Sequence, residues 1–433
     1  MVQLADSIEI KPVTRPIDAS IRLPGSKSYT NRALIVAALA RGTSRLEGAL
    51  ASDDTRYMVD ALRSLGVDAE RLVNRDVIVV KGESGAIPAS SANLYVGNAG
   101  TVARFLTALV ALGKGTYRID GVPRMRERPI GPLLAALREM GVQAKGERGN
   151  DCPPVIVTSS GFRGGAVEIA GDVSSQFISA LLLIAPCTEQ GIQLRIRGEL
   201  VSKPYLDLTM SIMQAFGATV SNDDYEHIRV RGGQSYDGRT YVVEPDASAA
   251  SYFLAAAAVT GGRVRIEALG RGSAQGDLQL VAILERMGCR VTWGNDFVEL
   301  AGPPTLSGID VDMRELSDVA QTLAAIAPFA SGDVRIRGVG HIRHKETDRV
   351  AAVTHELRRL GASMTERADG WDISPSDLHA ATVETYDDHR MAMSFAIVGL
   401  RVAGLKIANP GCVAKTFPDF FDRLSKITGA TGD

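Results

Sequence analysis

The chain has 433 residues, 45% of them apolar and 23% charged, and its 48 Lys and Arg against 50 Asp and Glu leave a formal charge of −2. That length calls for two or three domains rather than one core, and the balanced charge speaks against a nucleic-acid partner, whose phosphate backbone selects basic surfaces. No apolar run approaches the roughly 18 residues of a membrane span, and four scattered cysteines (Cys152, Cys187, Cys289, Cys412) without a CxxC pair read as buried free thiols of a reducing compartment.

The opening MVQLADSIEIKPV has no basic, apolar or Arg/Ser-rich leader pattern, so the chain reads as cytoplasmic. Its first twenty residues precede any repeat and are expected to pair with the C-terminal half. A buried helix is expected in SKSYTNRALIVAALA (26–40), then the strand RLEG (45–48), then a second helix, LRSLGV, stopping at Gly66. These elements return in GNAGTVARFLTALVAL, RIDG and LREMGV, and again in GDVSSQFISALLLIA, RIRG and MQAFGA. The fourth and fifth copies are PDASAASYFLAAAAV, RIEA and LERMGC, then LSDVAQTLAAIAPF, RIRG and LRRLGA. DDHRMAMSFAIVGL, KIAN and a degenerate helix near Leu424 to Gly429 make the sixth. The second residue of the strand motif falls at 46, 119, 196, 266, 336 and 407, in steps of 70 to 77 residues, so six copies fill the chain.

Each part has a physical reading. The first helices are apolar all round, which suits burial inside a lobe, and they open on the Ser, Asn, Asp and Thr that cap helix N-termini. The second helices end at glycine, which accepts the left-handed conformation of a helix stop, and β-rich stretches such as CRVTW (289–293) follow. The fold class is α/β. Six units could stack as one solenoid or split three and three, with a Gly- and Asp-rich crossing at GGQSYDGRTYVVEPD (232–246).

Helix starts gather positive dipole ends and donor N–H groups. Basic residues stand beside several of them: Lys27 and Arg32, then Arg104, then Arg390. The loops before the second helices add Arg124, Arg126 and Arg128, then Arg343, Lys345 and Arg349, then Lys415. Repeated basic loops facing capped helix starts suggest a cleft for an anionic small ligand. Acid–base candidates are Asp246, Asp318, Glu346, Asp348, Asp388 and His389. GSKS is no nucleotide P-loop, because GxxxxGK(S/T) needs glycine where Ser26 and Ile21 stand. No HExxH or Cys/His cluster has metal-ligand spacing.

Together LPGSKSYTNRA, GNAGT, PRMRERPIG, GDVSSQF, SKPY, KETDR, DDHRMAM and AKTFPDFF resemble, in order from about residue 8 to 425, the 5-enolpyruvylshikimate-3-phosphate synthase family, or 3-phosphoshikimate 1-carboxyvinyltransferases. The resemblance implies a two-lobe inside-out α/β barrel with six βαβαββ repeats, three per lobe. Residues 23–243 would form the N-terminal lobe and 1–22 with 244–433 the C-terminal lobe, with the active site in the cleft between them. It implies transfer of the enolpyruvyl group of phosphoenolpyruvate to the 5-hydroxyl of shikimate 3-phosphate by addition–elimination, releasing phosphate, in the shikimate pathway to chorismate and the aromatic amino acids. No metal or organic cofactor, no nucleic acid and no membrane are expected, and the family suggests a monomer and a target of glyphosate.

By resemblance, shikimate 3-phosphate contacts Ser28, Arg32, Ser174, Ser175, Gln176, Ser202, Tyr205, Asp318 and Lys345, with His341 as a further binder. Phosphoenolpyruvate contacts Lys27, Asn98, Gly100, Arg104, Arg128, Gln176, Arg349, Arg390 and Lys415. The catalytic candidates are Asp318 near the 5-hydroxyl, and Glu346 with Lys27 for proton transfer; which group performs which step stays open. Two positions depart from the family pattern. Phe105 stands where proline is common, a position expected only to support its helix, and His341 replaces an asparagine, which could make a phosphate contact pH-dependent. The alternatives are the sister enolpyruvyl transferase acting on UDP-N-acetylglucosamine, whose cysteine-bearing loop has no counterpart before residue 152, and a non-catalytic anion-binding repeat scaffold.

Overall fold

The computed structural model describes residues 6–72 and 76–429. Residues 1–5, where no leader pattern was expected, 73–75 and 430–433, the end of the expected C-terminal lobe, lie outside it. The chain divides into two compact units, Gly25–Val243 and Met1–Pro24 with Glu244–Asp433.

In the unit Gly25–Val243 the helices are α1 (Lys27–Leu39), α2 (Asp53–Ser64), α3 (Gly100–Leu109), α4 (Gly131–Glu139), α5 (Ser175–Ile184) and α6 (Pro204–Ala215). α1, α3 and α5 touch one another and are buried along nearly their whole length, because no side of them carries a polar stripe. The other unit repeats the plan with α7 (Ala247–Thr260), α8 (Gln279–Arg286), α9 (Ala320–Ile326), α10 (Arg349–Arg359), α11 (His389–Gly399) and α12 (Phe420–Thr428). Here α7, α9 and α11 make the mutually packed centre. Each unit has its own apolar core, and each fully buried Leu, Ile, Val or Phe contributes about 1.5–3 kcal/mol.

Among the described residues, six small separate sheets flank these helices and no strands close into a barrel; within each unit the helices are inside and the strands outside. In four of the described sheets the strand before a central helix pairs parallel with the strand after it, and antiparallel strands complete the set. Two repeats lack that first strand in sequence order. Thr240–Val242 supplies it to Arg41–Glu47 in the first, and Asp18–Arg22 supplies it to Arg263–Glu267 in the fourth. Ser7–Glu9 lies antiparallel to Lys406–Ala408 and completes the three-stranded sheet of the sixth. The N-terminal strands therefore pair within the unit that includes Glu244–Asp433.

The second helices stop alike. Gly66, Gly141, Gly217, Gly288 and Gly361 have φ of +88° to +105°. The amide of the next residue reaches back to the carbonyl five positions earlier, from Val67 to Leu62 and from Val142 to Leu137, at 2.9–3.0 Å in all five copies. This closes the orphan carbonyls of each helix end. Gly429 (φ +71°) ends the degenerate sixth. Of the four cysteines, Cys152 and Cys289 are buried but Cys187 and Cys412 only partly so, which corrects the expectation of four buried thiols. Burial still pushes Cys187, Cys289 and Cys412 up to about 12, so these thiols stay protonated at neutral pH.

A Cβ on Gly141 would meet nothing within 4 Å, so Gly141→Ala isolates the backbone effect. It is expected to lower stability by about 1 kcal/mol through the left-handed φ alone. Gly272→Ala, equally open but without positive φ, is the control and should leave urea unfolding unchanged.

Candidate active site

The central helices of the unit Gly25–Val243 begin beside the loops that lead into its outer helices. α1 is capped by Ser26, whose Oγ accepts from the Tyr29 amide at 3.5 Å, and α5 by Ser174, which accepts from the Gln176 amide at 3.3 Å. α3 departs from the expectation, because it starts at Gly100 with no side-chain cap. Lys27, the first residue of α1, pairs with the buried Asp54 at 3.7 Å. Arg128 donates from Nη1 to the Asn98 carbonyl at 2.8 Å and to its Oδ1 at 3.2 Å, while Arg104 Nη2 donates to the Pro129 carbonyl at 3.0 Å. Both guanidinium groups press against Gly100, and a Cβ there would collide with each.

Arg32 lies deeper, at 1% exposure. Its Nε donates to Thr209 Oγ1 at 2.7 Å and its terminal nitrogens to the carbonyls of Ser28 (3.1 Å) and Tyr205 (3.2 Å). The guanidinium stands 5.2 Å from the Phe105 ring centre and 6.0 Å from that of Tyr205. Burial pushes it down to about 10, still charged at neutral pH. Phe105 thus does more than support its helix; it packs against a buried cation that joins α1 to α6. Ser202, before α6, holds a left-handed φ of 61° and its carbonyl accepts from the Tyr205 amide, a costly conformation of the kind that collects at working sites.

In the other unit the predicted residues form one connected network. Asp318 lies in the single turn Ser317–Val319 ahead of α9, which again has no side-chain cap. Its Oδ1 accepts from Lys345 Nζ at 2.5 Å and from Arg349 Nη1 at 3.4 Å, and its Oδ2 from Arg390 Nη2 at 2.8 Å. Arg349, the first residue of α10, also donates to Glu346 Oε2 (2.9 Å) and to both Asp388 oxygens (2.7 and 3.2 Å). Lys415 Nζ stands 3.7 Å from Glu346 Oε1. Burial alone would lower Arg349, but Asp388, Glu346 and Asp318 outweigh it and hold the guanidinium above its ordinary value.

Several sequence candidates cap helices. Asp246, Asp348 and Asp388 cap α7, α10 and α11, accepting from the amides of Ala249, Ala351 and Arg390 at 2.9–3.0 Å. Within the basic loops, Arg124 pairs with Glu127, Arg126 is bidentate to Asp120, and Arg343 binds Asp348 and Glu366. Arg128, Lys345, Arg349 and Lys415 of those loops join the clusters above. Sequence reasoning missed Asp54 and Asp277. Both lie between the repeated strand and the first turn of the second helix, as Arg128, Tyr205, Lys345 and Lys415 do, all 8 to 11 residues beyond the motif's second residue. Tracking that slot for any charge, rather than for basic residues, would have found them. Among the described residues no group of His, Cys, Asp and Glu is arranged to hold a metal.

His341 bears on the expected pH-dependent contact. Its Nε2 lies 2.9 Å from Ser317 Oγ, and burial, then the Lys345 ammonium, push its pKa down to about 3. The neutral ring is therefore favoured, and the stability this gives is full above the unfolded value near 6.5 and is lost as pH falls toward 3. An NMR titration should show His341 unprotonated from pH 5 to 8; a midpoint between about 6 and 7 would restore the pH-dependent contact.

The family model of EPSP synthase (3-phosphoshikimate 1-carboxyvinyltransferase) matches residues 12–424. The chain is 50% identical over 424 residues to the 3-phosphoshikimate 1-carboxyvinyltransferase of Trichormus variabilis, covering 98% of this chain and 100% of the relative. It is 45% identical over 426 residues to that of Vibrio atlanticus, with 98% and 100% covered. The solved EPSP synthase of Acinetobacter baumannii superposes with a TM-score of 0.80 at 27% identity, covering 99% of this chain and 98% of that one. The enolpyruvyl transferase NikO of Streptomyces tendae shares the fold, with a TM-score of 0.77 at 19% identity and 97% of each chain covered. With two helix-centred units and these motifs in place, the chain belongs to the EPSP synthase family.

Proposed function

We propose that the cationic side chains of the two units hold the two anionic substrates of one enolpyruvyl transfer. The reaction follows from family membership: the chain transfers the enolpyruvyl group of phosphoenolpyruvate to the 5-hydroxyl of shikimate 3-phosphate and releases phosphate, a step in the shikimate pathway to aromatic amino acids. The matches favour neither a UDP-N-acetylglucosamine acceptor nor a non-catalytic scaffold.

Shikimate 3-phosphate is assigned to Ser28, Ser174, Ser175, Gln176, Ser202, Tyr205, His341, Lys345 and Asp318. Arg32 supports it from beneath, because its donors already engage Ser28, Tyr205 and Thr209. Phosphoenolpyruvate is assigned to Lys27, Asn98, Gly100, Arg104, Arg128, Gln176, Arg349, Arg390 and Lys415. Planar guanidinium forks suit carboxylate and phosphate oxygens, and such contacts strengthen where water is scarce.

The observation that carries the reading is Asp318, a carboxylate within reach of Lys345, Arg349 and Arg390, with Glu346 sharing the same Arg349. In the addition step the 5-hydroxyl oxygen bonds to C2 of phosphoenolpyruvate and loses its proton to Asp318, while the methylene carbon gains one. In the elimination step the C2–phosphate oxygen bond breaks, phosphate leaves to the surrounding cations, and the new methyl group returns a proton. Lys27, Glu346 and Lys415 are the groups assigned to the proton at that carbon. Every proton and charge is handled by side chains already named, so the proposal requires no metal or organic cofactor. It takes the enzyme as a cytoplasmic monomer; among the described residues no helix is long and apolar enough to cross a membrane.

Phosphate release from phosphoenolpyruvate should depend on shikimate 3-phosphate. Activity with UDP-N-acetylglucosamine alone, or none, would sink the assignment. Asp318→Ala is expected to cut turnover at least ~10²-fold with a modest change in substrate affinity; unchanged turnover removes Asp318 from the chemistry. Gly100→Ala, which forces Arg104 and Arg128 aside, should lower kcat/KM for phosphoenolpyruvate by roughly 10- to 100-fold, and wild-type kinetics would show that neither guanidinium serves that substrate.

A further inference from the structure

Asp277 is 5% exposed, and no step described above uses it. It lies in the turn Gly276–Leu278 that leads into α8. Its Oδ2 accepts a hydrogen bond from Ser248 Oγ, in the first turn of α7. The same Ser248 oxygen stands 3.3 Å from Arg390 Nη2, which donates to it, and that nitrogen also donates to Asp318 Oδ2 at 2.8 Å. Arg390 Nη1 lies 3.4 Å from the Tyr252 hydroxyl, four residues along α7. A continuous path thus runs from Asp277 through Ser248 and Arg390 to Asp318, across the starts of α7, α9 and α11.

A serine hydroxyl has one hydrogen and two lone pairs. When Asp277 takes the hydrogen, a lone pair is left facing Arg390. Without that acceptor the hydrogen is free to rotate toward the guanidinium, which then loses a fixed partner. Burial, then the charge of Asp318, push Asp277 up to about 6, so at neutral pH it remains ionised and accepting. A buried carboxylate beside another carries a desolvation cost that an incidental contact would not sustain.

We propose that Asp277 is a positioning residue for the phosphoenolpyruvate end of the reaction, fixing the Arg390 guanidinium on Asp318 through Ser248. This rests on the assignment of Arg390 to phosphoenolpyruvate. Asp277→Ala and Ser248→Ala are each expected to raise KM for phosphoenolpyruvate roughly 5- to 20-fold, with KM for shikimate 3-phosphate within about twofold of wild type. The double variant should be no worse than Ser248→Ala alone, because both act through one hydroxyl. Asp277→Asn, which keeps an oxygen acceptor for Ser248, should restore KM to within about threefold of wild type. Arg390→Lys separates the two claims. If it leaves KM for phosphoenolpyruvate unchanged, the assignment of Arg390 falls and this inference with it. If Arg390→Lys raises KM but Asp277→Ala does not, or the two alanine effects simply add, the positioning role alone is overturned. Should Asp277→Ala fail to fold, Ser248→Ala carries the test, and an unchanged KM there overturns the proposal.

Discussion

A single buried guanidinium, Arg349, ties together three helix starts of the unit that includes Glu244–Asp433. At 1% exposure it bonds Asp388, Glu346 and Asp318, which sit at the start of α11, just before α10 and just before α9. A charge so buried is tolerable only with partners of this quality, and deleting one side of such a pair typically costs about 3–5 kcal/mol. The consequence is geometric. Because Asp388 also caps α11 through the Arg390 amide, the position of α11, the direction of Arg390 and the orientation of Arg349 are set by one carboxylate. Asp318 inherits its place from that arrangement, held between Lys345, Arg349 and Arg390.

The other unit places its cations differently. Its guanidinium groups are placed by backbone carbonyls and rings: Arg128 by Asn98, Arg104 by Pro129 and the Phe177 ring, Arg32 by Ser28, Tyr205 and the Phe105 ring. The absent Cβ at Gly100 lets two of them close over the start of a helix with no side-chain cap. Carbonyls and rings orient these guanidinium groups through dipoles and ring faces.

Much of this was legible in the sequence because the fold is a sixfold repeat, and repetition turns weak local signals into a strong one. The glycine at each second-helix end is dictated by φ, so it survives in every copy. The all-apolar helices could only be interior. What sequence could not distinguish was direction. Arg124, Arg126 and Arg128 lie within five residues of one another, yet two close on Glu127 and Asp120 while the third reaches Asn98. Asp348 and Glu346 are equally acidic neighbours, one a helix cap and one a partner of Arg349. Burial was the other hidden variable. It pushes His341 toward the neutral ring, brings Arg32 against Phe105, and encloses Asp277 behind Ser248. Each of these depends on packing between elements distant in sequence, which periodicity does not report.

The most direct test of the central claim, enolpyruvyl transfer through a tetrahedral adduct, is mass spectrometry of the product formed in D2O. Protonation of the methylene carbon from exchangeable groups and later loss of a methyl proton predict deuterium in the vinyl CH2 of the product, with its amount rising as turnover is slowed at the Asp318 and Glu346 positions. A product formed at full rate with no deuterium at that carbon would contradict addition followed by elimination, and with it the roles given to those carboxylates.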